Sequence, residues 1–111
     1  MDEQNQLAVC QEHGREFVPC PPNSKVGVAI ETLNQTPIHG LRHPPVGDTN
    51  GWYIWAGEYS SEKDFFKPMH ASHLTEEVPE VVRLLGLPPG SRFLLGREHV
   101  DVWFDESLLR V

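Results

Sequence analysis

The sequence predicts an α+β fold: a single domain, residues 1–111, built on a mainly antiparallel sheet of four to six strands with one main helix packed on it. Three observations carry this. The 111 residues amount to about one ordinary domain and are too few for two independent cores. Several short stretches alternate apolar and polar or small residues with a period of two, as strands do. One stretch alone, near residues 75–85, spaces its apolar residues as a helix does. Strand patterns gathered before and after one helix favour antiparallel pairing. With 39% hydrophobic and 23% charged residues, the chain has the composition of a folded domain, and disorder is excluded as its general state.

Met1 to Gln6 are polar and read as a loose tail. Pro19, Pro21 and Pro22 separate an N-terminal arm from Lys25–Leu33, where Val26, Val28 and Ile30 alternate with Gly27, Ala29 and Glu31. That is a half-buried strand whose second face is small enough for a large aromatic to approach. Asn34 to Gly51 reads as a long irregular loop, and such loops in small domains are commonly functional or mobile. The next strand is Trp52–Glu58, preceded by the turn signal Asn50-Gly51. Trp52, Ile54 and Ala56 share one face and Tyr53 and Trp55 the other, so this strand is either central and covered on both sides, or offers aromatics to a partner.

Ser60 to Asp64 is polar and turn-like, after which Phe65, Phe66, Met69 and Leu74 supply core material around Pro68. The helix is expected over Thr75–Leu85, with Leu74, Val78, Val81, Val82 and Leu85 along one stripe, three glutamates near its start and Arg83 near its end. Pro79 either falls in its first turn or divides a short leading turn from the rest. Gly86 is expected as its left-handed stop. Arg92–Gly96 and Val100–Phe104 read as a hairpin, and Asp105–Val111 as a closing helical turn.

Sixteen acids against nine bases give a formal charge of -7. The basic surface that binds nucleic acid is therefore absent, and a basic protein partner is favoured, although the same acidity serves solubility. No apolar run approaches the roughly 18 residues of a membrane span. Asp2 and Glu3 give the N-terminus no basic flank of a secretory signal, so a cytoplasmic protein is expected. Cys10 and Cys20 enclose nine residues, a spacing unlike that of zinc ligands. Reduced, half-buried thiols are expected there, with a disulfide as the alternative in an oxidising compartment.

His39 and His43 are four apart, but the Gly40 between them and Pro44-Pro45 after them argue against a helix that would bring them to one face. His70 and His73 precede Glu76 and Glu77, a conceivable histidine-carboxylate site; capped turns and solvent are the simpler fate. His43 and Glu58 flank the aromatic strand and, with His70, form the one arrangement that suggests acid-base chemistry or ligand binding. There is no phosphate-binding glycine loop, nucleophile elbow or thiol-enzyme motif, and neither a cofactor nor a metal is expected. Arg42 has a structural role open to it: stacking on Trp or Tyr while bonding loop carbonyls. Asp48, Thr49 and Asn50 are natural turn-formers.

Several separated motifs fall in order: Gly40-Leu41-Arg42-His43-Pro44-Pro45, Asn50-Gly51-Trp52-Tyr53-Ile54-Trp55 with Gly57-Glu58, Asp64-Phe65-Phe66, Pro68-Met69-His70, and Leu87-Pro88-Pro89-Gly90 with Arg92-Phe93-Leu94. Over about residues 24–96 the chain resembles a small bacterial domain family, first described as a domain of unknown function and later as an immunity-protein domain of polymorphic toxin systems. The resemblance implies a non-enzymatic protein that binds a cognate toxin domain and neutralises it by occlusion. Arg42, His43, Trp55, Glu58 and Asp64 are the candidate contacts. The partner expected is a toxin, basic if charge complementarity guides the encounter, and the chain itself a monomer or homodimer. A small enzyme using His43, Glu58 and His70, and a regulatory dimerisation domain, are the alternatives.

Overall fold

The longest strand, β3 (Thr49–Ala56), organises the rest of the molecule, a computed structural model that describes residues 3–110. In chain order the other elements are α1 (Glu3–Glu12), β1 (Lys25–Val28), β2 (Ile38–Arg42), β4 (Lys67–His70), α2 (Ala71–Glu77), β5 (Ser91–Leu95) and β6 (Val100–Phe104). Short 3-10 turns occupy Ile30–Thr32, Pro79–Leu84 and Glu106–Leu109. The six strands form one sheet in the order β4-β1-β3-β2-β5-β6, antiparallel except for the β1–β3 pair. This is the α+β architecture that the strand and helix patterns predict.

One face of the sheet carries the core. Val26, Val28, Ile38, Trp52, Ile54, Ala56 and Phe93 pack there against Val9 and Cys10 of α1, Leu74 of α2, and Val81, Leu84 and Leu85. Each large side chain so buried contributes roughly 1.5–3 kcal/mol. β3 lies third in the sheet and Trp55 is buried on its other face, so the strand is central and covered on both sides. Gly27 admits the Tyr53 ring, which a Cβ there would meet at 2.7 Å.

Six expectations need correction. Residues 3–6 are no tail: they begin α1, and Gln6, fully buried, donates from Nε2 to the Val82 carbonyl at 2.8 Å. The glutamines, leucine and alanine of α1 are helix formers, and its one buried amide finds a partner, which a reading of polarity alone misses. Met1 and Asp2 lie outside the described residues. The supposed loop 34–51 contains β2, hidden because its core-facing positions are Ile38, Gly40 and Arg42 rather than three apolar residues. It also holds the first residues of β3, so Asn50-Gly51 lies within the strand instead of ahead of it.

β1 ends at Val28, because Thr32 Oγ1 donates to the Ala29 carbonyl and the chain turns in a 3-10 helix. Ile30 is left 45% exposed. The helix expected over 75–85 is broken. α2 starts at Ala71 and ends before Pro79, which lacks an N–H and forces the preceding Val78 to φ -135, ψ 72; a 3-10 segment follows. Gly86 is absent from the positive-φ glycines. It is needed for proximity: a Cβ would lie 2.8 Å from the Phe17 ring and 2.9 Å from Gln6 Cβ.

Candidate functional site

The pairing registers line up Pro68, Gly27, Tyr53, Leu41, Arg92 and Trp103 in a single row across all six strands, on the face opposite the core. A second row holds Trp55, His39, Leu94 and Asp101. The connection from β3 to β4 folds over part of this face. Phe66 meets Tyr53 edge-on at 5.2 Å and Trp55 at 6.0 Å, and Tyr59 meets Trp55 at 5.4 Å and Phe65 at 5.8 Å. His39 stacks flat on Trp55, with ring centres 4.9 Å apart and planes 7° from parallel. Edge-to-face and offset contacts of this kind add roughly 0.5–1.5 kcal/mol each beyond area burial. They hold the 57–66 segment in place without regular secondary structure.

Among the contact residues expected from sequence, Trp55 sits within this layer at 5% exposure and acts on the surface from beneath. Glu58 and Asp64 are exposed on the segment above it, with Asp64 3.9 Å from Lys67. His43 is half-buried; its Nδ1 is 2.9 Å from the Leu108 carbonyl and its ring is edge-on to Tyr53. Arg42 points the other way. It is 1% exposed and has no surface to offer a partner. Its Nε donates to the Asn50 carbonyl, Nη1 to those of Val18, Leu87 and, at 3.4 Å, Leu85, and Nη2 to that of Pro19. The guanidinium carbon lies 5.6 Å from the centre of the Trp52 ring. Stacking with carbonyl bonding is therefore the role the structure gives it.

The proposed acid-base pair does not assemble. The His43 amide bonds the Gly51 carbonyl at the start of β3, whereas Glu58 lies beyond the other end of that strand, a run of seven residues or roughly 20 Å of extended chain. His70 is exposed on β4, paired with Lys25. Among the described residues no three His, Cys, Asp or Glu side chains gather as metal ligands would, and no helix is long and apolar enough to cross a membrane. Cys10 and Cys20 are free and buried near Arg42; burial pushes both thiols up, against the opposing pull of the guanidinium.

Sequence reasoning missed Tyr59, 61% exposed over the aromatic layer, and the groove beside it. Ala29–Thr32 and the segment from Glu62 to Lys67 bound about 460 Å³, with Ile30 and Phe65 as apolar wall and Glu31, Glu62 and Asp64 as carboxylates. The exposed Ile30 was the available signal, concealed by its apparent place in a strand.

Burial, reinforced by the Arg92 charge, holds the His39 imidazole below its ordinary value of 6.5, while a backbone hydrogen bond with Gly57 opposes this. As pH falls through 6.5, the unfolded chain gains a proton that folded His39 still refuses, so stability falls. The Tm at pH 5.5 should be below that at pH 7.5, and His39→Phe should shrink the gap. An undiminished gap in the variant would remove His39 as its source.

The model of one protein family, the Imm33-like domain, matches residues 5–105 of the chain. No curated protein and no solved structure matches it.

Proposed function

Because the chain belongs to the Imm33-like family, we propose that it is a non-enzymatic immunity protein that binds a cognate bacterial toxin domain and neutralises it by occlusion in the cytoplasm. The family match over residues 5–105 is the observation that carries this reading. The sheet face described above supports it. Tyr59 offers an exposed aromatic over a layer locked by ring contacts, and a pre-ordered surface loses less entropy on binding. Tyrosine at such a position is a common anchor of protein interfaces.

The neighbouring groove fits a basic partner. An aliphatic stem would lie along Ile30 and Phe65, and its cationic head would meet Glu31 and Glu62 and share Asp64 with Lys67, which also lines the groove. The acidic balance of the chain, -7 overall, would steer such a partner toward it. Trp55 and His43 then serve as supports beneath the contact surface, and Glu58, Tyr59 and Asp64 as direct contacts. Arg42, being buried, is not among them.

The test is co-expression with a growth-arresting toxin domain, sought first among the genes that flank this one. The wild-type chain should restore growth. Tyr59→Ala combined with Asp64→Lys should reduce protection by at least about tenfold, since removing an aromatic anchor and reversing a charge at a desolvated contact together exceed about 1.4 kcal/mol. Circular dichroism would establish that the double variant remains folded. Full protection by a folded variant would place the toxin on another surface, and failure of the wild-type chain to protect would remove the inhibitory reading itself.

A further inference from the structure

We propose that the free edge of β6 is a self-association surface, through which two copies of this chain join their sheets across a two-fold axis at Val102. The two edges of the sheet are built differently. At one edge, β4 has four residues and contains Lys67 and Pro68, devices that discourage strand addition. At the other, β6 has five residues, Val100-Asp101-Val102-Trp103-Phe104, with no proline, lysine or bulge.

The hydrogen-bond phase of β6 is fixed by its neighbour. The Gly96 amide donates to the His99 carbonyl and the Asp105 amide to the Gly90 carbonyl, so Asp101 and Trp103 direct their backbone groups toward β5. Val100, Val102 and Phe104 therefore aim their N–H and C=O groups outward, where no strand among the described residues receives them.

An antiparallel copy with Val102 opposite Val102 satisfies all of these groups. Val102 exchanges two hydrogen bonds with its symmetry mate, and Val100 exchanges two with Phe104 of the other copy on each side of the axis. The side chains suit the same register. Val100 and Phe104, both half-buried in the single copy, meet each other. Asp101 faces Trp103, 43% exposed, instead of a second acid, and His99 faces Asp105. Although the chain carries a charge of -7, this register sets no acid directly opposite another between residues 99 and 105. The contact is isologous, as a two-fold dimer requires.

A five-residue strand pair buries less than the roughly 1,200 Å² of a stable interface, so the dimer should be weak and concentration-dependent. This edge lies three strands away from β3, over which the Glu58, Tyr59 and Asp64 contacts assigned to the toxin sit, and the two proposals stand or fall separately. Sedimentation velocity of the full chain from about 5 µM to about 1 mM should show the mass rising from 12.6 kDa toward twice that value.

Val102→Pro removes an amide that faces solvent in the single copy, a position where an edge strand tolerates proline. It should weaken association at least about tenfold. Trp103→Glu, which sets like charges opposite one another across the axis, should do the same by another route. Wild-type protein that stays at the monomer mass throughout, or folded variants that associate as the wild type does, would overturn the proposal. Loss of toxin capture by Val102→Pro in a chain that is monomeric at every concentration would assign the edge to the toxin instead.

Discussion

Arg42→Met is expected to lower the stability of the domain by about 3–5 kcal/mol and its Tm by roughly 15 °C or more. The guanidinium ties the end of β2 to three other segments: Val18 and Pro19 of the arm after α1, Asn50 of β3, and Leu85 and Leu87 after the 3-10 segment. No carboxylate figures among these partners. The charge is dispersed over carbonyl dipoles, and burial holds the guanidinium below its ordinary value. Methionine would fill much of the space but take this donor from five carbonyls, those of Asn50, Leu85 and Leu87 in buried bonds and those of Val18 and Pro19 in part-buried ones, with only the Leu85 oxygen keeping Trp52 Nε1 as a second side-chain donor; each buried oxygen that finds no replacement costs about 1–3 kcal/mol. Against a total stability of about 5–15 kcal/mol, such a loss leaves little margin. Arg42→Lys should recover less than half, because an ammonium has three donors at one point and cannot span carbonyls on opposite sides of a planar fork. Urea unfolding of the three proteins decides it; a loss below about 1 kcal/mol for Arg42→Met would mean that the carbonyls find water or one another.

That cluster also explains how far the fold was readable in the sequence. The aromatic strand, the β5–β6 hairpin and the closing turn were visible because their side chains follow the period of their backbone: Trp52, Ile54 and Ala56 on one face, Val100, Val102 and Phe104 on another. β2 was not, since an arginine and a glycine occupy core positions that a strand pattern reserves for apolar residues. Arginine there is intelligible only once five carbonyls from distant segments are seen to converge, and convergence is a property of three dimensions. α1 was missed for a related reason, as burial of Gln6 depends on the Val82 carbonyl 76 residues away. The divided helix was partly readable, because Pro79 announces a break without saying on which side of it the α-helix lies.

The candidate site divides along the same line. Glu58 and Asp64 are surface residues of the 57–66 segment, where local polarity says enough. Trp55 is a candidate contact in the sequence, but its flat stack on His39 and the exposed Tyr59 above it arise from cross-strand register and loop folding. Neither can be read from neighbours in sequence.

A second large effect is expected at Gly51, where β3 enters the aromatic face. Its φ is +88, and a Cβ there would fall inside contact distance of the His43 carbonyl oxygen, a backbone atom that cannot swing aside. Gly51→Ala therefore combines a backbone penalty of about 1–2 kcal/mol with about 1–3 kcal/mol of steric relief paid in displaced structure. The displacement falls where it matters. Asn50, next in the chain, gives its carbonyl to Arg42 Nε and its side-chain amide to Cys20 Sγ and Ser24 Oγ. Two residues further on, Tyr53 carries the edge contacts of His43 and Phe66. Gly47 provides the control, with φ +62 and nothing within 4 Å of an added Cβ. Gly47→Ala should lose only about 1 kcal/mol, offset in part by the smaller conformational freedom of the unfolded alanine chain. Gly51→Ala should lose at least about 2 kcal/mol more, and near-ultraviolet circular dichroism should report the disturbed aromatic layer. Equal losses in the two variants would show that backbone angle alone sets the cost and that the His43 carbonyl yields freely. Strand β2 would then be less firmly tied to β3 than the Arg42 cluster implies.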